Sequence, residues 1–197
     1  MGASQLCLFA KSDSSRETPN LQFHVQPIST DKLGGSALHD FHAFTPTVAN
    51  VRPTSRGEIN IVSHDSREKP KIKMNYLSTE DDRKVAADGL RLVRDSVFQS
   101  ETFKKYHPEE LRPGSQFQSD EELVQEGSKF TQTIFHPVGT CKMGNDENSV
   151  VNDELKVHGI QNLRIIDASI MPNITSGNTN APTIMIAEKG ADMILGN

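Results

Sequence analysis

The chain has 197 residues, a length that fits one domain with a second as a soft option. Hydrophobic residues make up 35% and charged residues 24%, and 21 basic side chains are interspersed with 26 acidic ones for a net charge of −5. That balance suits a globular protein. It supplies no basic patch of the kind nucleic-acid binding needs, and no apolar run is as long as a membrane-spanning helix.

Residues 1–20 are small and polar, with Ser12, Ser14, Ser15, Thr18 and Pro19, and are expected as a loop-like N-terminal segment set apart from residues 21–197. The short apolar run before Lys11 lacks a basic leader and does not read as a signal peptide. Leu21, Phe23 and Val25 alternate with Gln22, His24 and Gln26, the period of a half-buried strand that stops at Pro27. Residues 30–50 are rich in Gly, Ser and His and fit no single period. Ser55-Arg56-Gly57 reads as a turn feeding a second strand over 58–63, and residues 71–77 read as a short third.

Ser78, with Asp81 three residues on, approximates a capping box. The stripe Ala86, Leu90, Val93, Val97 then predicts an amphipathic helix. A second helix starts at Ser119, where Glu122 completes a better box, and carries Leu123, Val124 and Phe130. Residues 163–166 (Leu-Arg-Ile-Ile) read as a short buried strand. The last helix begins near Asn180, tolerates Pro182 in its first turn and runs to about Leu195. Strands followed by helices, without strict alternation, predict an α+β fold with an antiparallel or mixed sheet packed against helices.

Of the residues able to do chemistry, His136 stands out. Neutral imidazole is a base near neutral pH, and here it precedes a Pro-Val-Gly-Thr turn. A structural histidine is the plain alternative. Cys141 and Met143 lie close by, but zinc sites need three or four ligands in recognisable pairs, and none is present. His39 and His42 form an H-x-x-H pair with no helix to carry it and no carboxylate at metalloprotease spacing. Asn173-Ile174-Thr175 matches a glycosylation sequon of a kind that arises often by chance. Ser63-His64-Asp65 cannot act as a triad, because consecutive residues of a strand do not face one another. Cys7 and Cys141 make no disulfide framework.

Three segments occur in a fixed order: Phe135-His136-Pro137-Val138-Gly139-Thr140-Cys141-Lys142-Met143-Gly144, then the stretch from Leu163 through Asp167-Ala168 to Pro172, then Ser176-Gly177-Asn178-Thr179-Asn180-Ala181-Pro182-Thr183. Together they resemble the C-terminal signature of the glucose–methanol–choline oxidoreductases, a flavin-dependent alcohol-oxidising family. Choline dehydrogenase-like and insect glucose dehydrogenase-like members are the most similar. The resemblance implies FAD as cofactor and a small alcohol as substrate. It makes His136 the acceptor of the hydroxyl proton and Asn180 the amide that positions the oxygen, with Asn178 two residues away as the other register. It also places Asn180, Pro182 and Thr183 beside the flavin ring, and Asp167 and Ala168 beside the ribityl–phosphate portion.

The G-x-G-x-x-G strand–helix unit by which that family holds its dinucleotide is absent from these residues. The resemblance therefore implies a substrate-domain portion and catalytic tail whose N-terminal FAD-binding portion lies elsewhere. A non-catalytic module of the same fold and a small His/Cys metal protein are the rival readings. Choline recognition calls for an aromatic or acidic cage, and the chain has no Trp and two Tyr. Sugars, polyols and other primary alcohols stay open. Mitochondrial and cytoplasmic locations both fit better than secretion.

Overall fold

The computed structural model describes residue 4, residues 6–31 and residues 35–196. Two compact units are each assembled from two stretches of sequence, divided at Val51/Arg52, Ser78/Thr79 and Gln132/Thr133. Small antiparallel sheets and helices make the α+β architecture that the sequence predicts.

In the first unit, β1 (Leu6–Ala10), β2 (Leu21–Gln26) and β3 (Thr45–Asn50) form one antiparallel sheet in that order. Leu8 pairs with Phe23 and Phe23 with Val48, so these side chains share the face that also carries Leu21. That face meets α1 (Glu80–Phe98), where Val85 is fully buried with Leu21 and Phe23 against Val48, Leu92 and Val93. β1 lies inside the segment expected to be loop. Its five residues are uniformly apolar and show no alternation, and what makes them a strand is the register offered by β2. Pairing with β2 likewise settles residues 45–50.

Thr79, not Ser78, caps α1, its hydroxyl accepting the Asp82 N–H at 3.3 Å. The first turn is Glu80-Asp81-Asp82, which suits the positive end of the helix dipole. After α2 (Glu101–Lys104) comes α3 (Asp120–Ser128), which carries the expected capping box. Ser119 Oγ accepts the Glu122 N–H at 3.2 Å, and the Glu122 carboxylate accepts the Ser119 N–H at 3.0 Å. The helix stops two residues before Phe130.

Arg94 organises the loop between α2 and α3. Its guanidinium grips both oxygens of Glu110 at 2.8 Å and donates to the carbonyls of Phe117 at 2.8 Å and Gly114 at 3.0 Å. The Arg94 and Glu110 side chains are only 14% and 9% exposed, so each charge depends on the other.

In the second unit, β4 (Glu58–Asn60) and β5 (Lys71–Lys73) form a two-stranded ribbon with Ile59 opposite Ile72. Both strands are shorter than predicted. The core is made by Val151, Leu155, Ile170, Met171 and Ile186, the last from α4 (Asn180–Leu195). α4 approaches so closely that a Cβ on its Gly190 would lie 2.6 Å from Cγ2 of Ile166. Residues 163–166 are not a strand. Only Arg164 forms a bridge, with Lys156, because left-handed residues at Leu155, Gly159 and Asn162 turn the chain too often for a ladder to extend.

Two stability predictions follow from this packing. Arg94→Ala is expected to cost about 3–5 kcal/mol in chemical denaturation, while Arg94→Met combined with Glu110→Leu recovers most of the loss. A single variant within 1 kcal/mol of the parent, about the worth of an exposed pair, would contradict the clamp. The second prediction concerns acid. The hydroxyl and amide of Ser15 pull the Asp13 carboxyl from 3.8 down to about 2. A folded value below the unfolded one gives stability that is complete above pH 3.8 and lost as pH falls toward about 2. Asp13→Asn is therefore expected to flatten the fall of the denaturation midpoint across that window, and an unchanged slope would contradict it.

Candidate active site

The candidate site lies in the second unit, on loops fixed by main-chain hydrogen bonds. The Cys141 N–H donates to the Ser169 carbonyl at 3.0 Å and the Met143 N–H to the Ile170 carbonyl at 2.8 Å. Gly139, with φ of +86°, allows the loop to turn there, and a Cβ at that position would sit 3.3 Å from the Met171 carbonyl oxygen. Ile170 and Met171 in turn pack with Ile186 of α4. The segment that follows His136 is thus tied to the turn at 168–171 and, through it, to the helix whose approach carries the asparagines.

His136 is half-buried, and its Nε2 receives an N–H from Nδ2 of Asn178 at 3.3 Å. The structure therefore brings His136 to Asn178, the alternative register, at this contact. Asn180 is the first residue of α4 and is exposed, and the helix cap is Thr179. Phe135, immediately before the histidine, has φ of +65°, uncommon for a bulky residue, and its N–H is held by the Thr133 hydroxyl at 3.0 Å.

The first turn of α4 contains Asn180, Pro182 and Thr183. It has no acidic residue and Thr179 makes no side-chain capping bond, so backbone N–H groups set the charge character at this end. Thr183 turns its hydroxyl back to the Thr179 carbonyl at 2.6 Å. Asp167 caps a one-turn 3-10 helix, Ala168–Ile170, by accepting the Ser169 N–H at 2.7 Å. Asp167 is exposed and Ala168 half-buried, and α4 packs on this turn.

Met74 and Tyr76, which the sequence does not single out for function, line an open apolar hollow of about 480 Å³ with Thr133 and with Phe135 and Pro137, the motif residues on either side of His136 in sequence. Met74 and Tyr76 follow β5, and only the fold brings them there. The sequon residue Asn173 accepts an N–H from Arg56 at 2.6 Å. Among the described residues no group of three or more His, Cys, Asp or Glu is placed to hold a metal ion, and no helix is long and apolar enough to cross a membrane.

Comparisons with known proteins give this geometry a family. The family model described as GMC oxidoreductase matches residues 53–187. An oxygen-dependent choline dehydrogenase from Pseudomonas savastanoi pv. phaseolicola is 45% identical over 188 residues, which is 95% of this chain and 33% of that protein. Its counterpart from Proteus mirabilis is also 45% identical, over 95% of this chain and 34% of its own length. The chain thus spans about a third of the curated relatives it matches. Among solved structures, pyridoxine 4-oxidase from Mesorbium loti superimposes with a TM-score of 0.85 at 26% identity, covering 99% of this chain and 38% of the oxidase. A formate oxidase from Aspergillus oryzae, in a variant made to study FAD modification, gives 0.80 at 28% identity, covering 91% of this chain and 32% of the oxidase. A family match over more than half of its length, supported by these relatives, shows that the chain belongs to the GMC oxidoreductases and carries part of their C-terminal region.

Proposed function

We propose that this chain is the substrate-side portion of an FAD-dependent enzyme that oxidises a small primary alcohol, with His136 as the base. The observation that carries the reading is the 3.3 Å contact between His136 Nε2 and Asn178 Nδ2, made by two residues of the family signature. An amide N–H donating to Nε2 requires that nitrogen to be the unprotonated one of a neutral ring. A substrate hydroxyl entering between the two groups gives its O–H to Nε2, while its oxygen accepts the Asn178 N–H. One group then removes the proton and its neighbour steadies the oxygen from which it leaves.

When bound, FAD would supply the two-electron acceptor that the oxidation of an alcohol requires. The residues present fit such a group chemically: the first turn of α4, with Asn180, Pro182 and Thr183, offers N–H donors and the positive end of a helix dipole without a competing carboxylate. That arrangement favours negative charge gathering nearby, which is the electrostatic help a reduction needs. Asp167 and Ala168 are assigned to the ribityl–phosphate side, and Asn180 is assigned as a second amide toward the substrate oxygen. The chain spans about a third of its relatives' length, and the dinucleotide cradle is assigned to the part of them that it does not span. Choline, named in the relatives, is the first substrate to assay.

In the complete polypeptide, His136→Ala is expected to lower turnover about 10²–10⁴-fold, the usual worth of a general base. Retention of most activity would remove His136 from that role. Asn178→Ala is expected to lower kcat by about 10²-fold, as for loss of one oriented donor, and Asn180→Ala by less. The opposite order would return the positioning role to Asn180. A complete polypeptide that folds yet holds no FAD would favour the non-catalytic reading instead.

A further inference from the structure

We propose that Thr133 is the positioning residue of the candidate base: its hydroxyl holds Phe135 in the left-handed conformation that aims the His136 ring at Asn178. The proposal rests on the reading above, that His136 and Asn178 act together. Phe135 has φ of +65°, a region costly for a bulky side chain because Cβ crowds the following carbonyl oxygen. Such conformations persist only where their surroundings hold them, and they gather at functional sites. Packing of the ring does not hold this one, since Phe135 is 79% exposed. A hydrogen bond does. The Phe135 N–H donates to the Thr133 hydroxyl at 3.0 Å, across the two-residue span that Ser and Thr side chains close onto their own backbone.

What lies on either side of His136 gives that bond its weight. Downstream, the chain turns at Gly139 and is tied by the Cys141 N–H to the Ser169 carbonyl at 3.0 Å. His136 itself precedes Pro137, which disfavours the helical region for its backbone and leaves it extended. Phe135 is therefore the nearest upstream joint able to redirect the ring. A return of Phe135 to the ordinary right-handed region would rotate the chain by roughly 130° about its N–Cα bond. The contact at stake has little slack, because the 3.3 Å from Asn178 Nδ2 to His136 Nε2 is already long for a hydrogen bond. Thr133 is exposed and lies outside the buried core of its unit, so its hydroxyl constrains the loop and not the packing.

The test reads the His136 tautomer by nitrogen-15 NMR of this chain in two variants. Thr133→Val keeps the shape of the side chain and removes the hydroxyl, and Thr133→Ser keeps the hydroxyl. Thr133→Val is expected to lower the ratio of the tautomer with Nε2 unprotonated to the other about five-fold, the worth of one neutral hydrogen bond. The denaturation midpoint stays at the parent value, and Thr133→Ser keeps the parent ratio. In a Phe135→Gly background, where a positive φ carries no steric penalty, Thr133→Val is expected to change the ratio less. A ratio indifferent to Thr133→Val would overturn the proposal. So would equal losses in the Val and Ser variants, an undiminished effect beside Phe135→Gly, or a loss that only follows a lowered midpoint. The base reading fails separately: a complete polypeptide that keeps its turnover with His136→Ala removes the base and leaves the Thr133 lock on the ring standing. A protonated Nε2 in the unaltered chain would overturn both.

Discussion

Two main-chain hydrogen bonds, from Cys141 to Ser169 and from Met143 to Ile170, are the constraint on which the candidate site rests. They join segments that share no regular element, and they do so beside a core in which Ile170, Met171 and Ile186 are buried together. A histidine on an untethered loop would sample many positions, and a proton transfer that depends on hydrogen-bond reach would suffer for it. Here the loop after His136 is fixed to a turn, the turn packs against α4, and the residue leading into α4 returns an amide to the histidine ring. The circuit closes within one unit.

α4 serves that circuit at both ends. Toward its C-terminal half, the absence of a side chain at Gly190 lets the helix settle onto Ile166. At the other end, Pro182 costs little because the first turn has no intrahelical acceptor for its N–H in any case. The lack of acids in that turn contrasts with α1 and α3, whose first turns are Glu80-Asp81-Asp82 and Asp120-Glu121-Glu122. Those two helices satisfy their positive ends from their own sequence, and α4 leaves that function to something else.

Much of this was legible in the residues because some signals are local. The Ser119–Glu122 box depends on neighbours within a few positions and has its predicted form, and β2 spans the expected residues. But Gln22, on the side expected to be polar, is buried with Leu21 and Phe23, and the fully buried Val85 of α1 lies outside the expected stripe. The family motif around His136 is local in the same sense. What failed was set at long range. Leu6–Ala10 has no periodicity of its own and becomes a strand through β2. Residues 163–166 have the apolar character of a strand, but the turns around them leave a single bridge. Which asparagine contacts the His136 ring is a separate matter, set by where the helix starts and by the left-handed turn at Ser176, where φ is +60°. With Thr179 as the cap, Asn178 lies outside the helix and its side chain can meet the ring.

The central claim is that His136 presents Nε2 as its basic nitrogen and that Asn178 holds it so. Nitrogen-15 NMR of the imidazole tests this directly at a pH where the ring is neutral, in this chain and in an Asn178→Ala variant. The account predicts that Nε2 resonates as an unprotonated, pyridine-like nitrogen with the proton on Nδ1, and that the variant loses that single-tautomer signature. A protonated Nε2 in the unaltered chain, or a tautomer indifferent to the loss of Asn178, would contradict it.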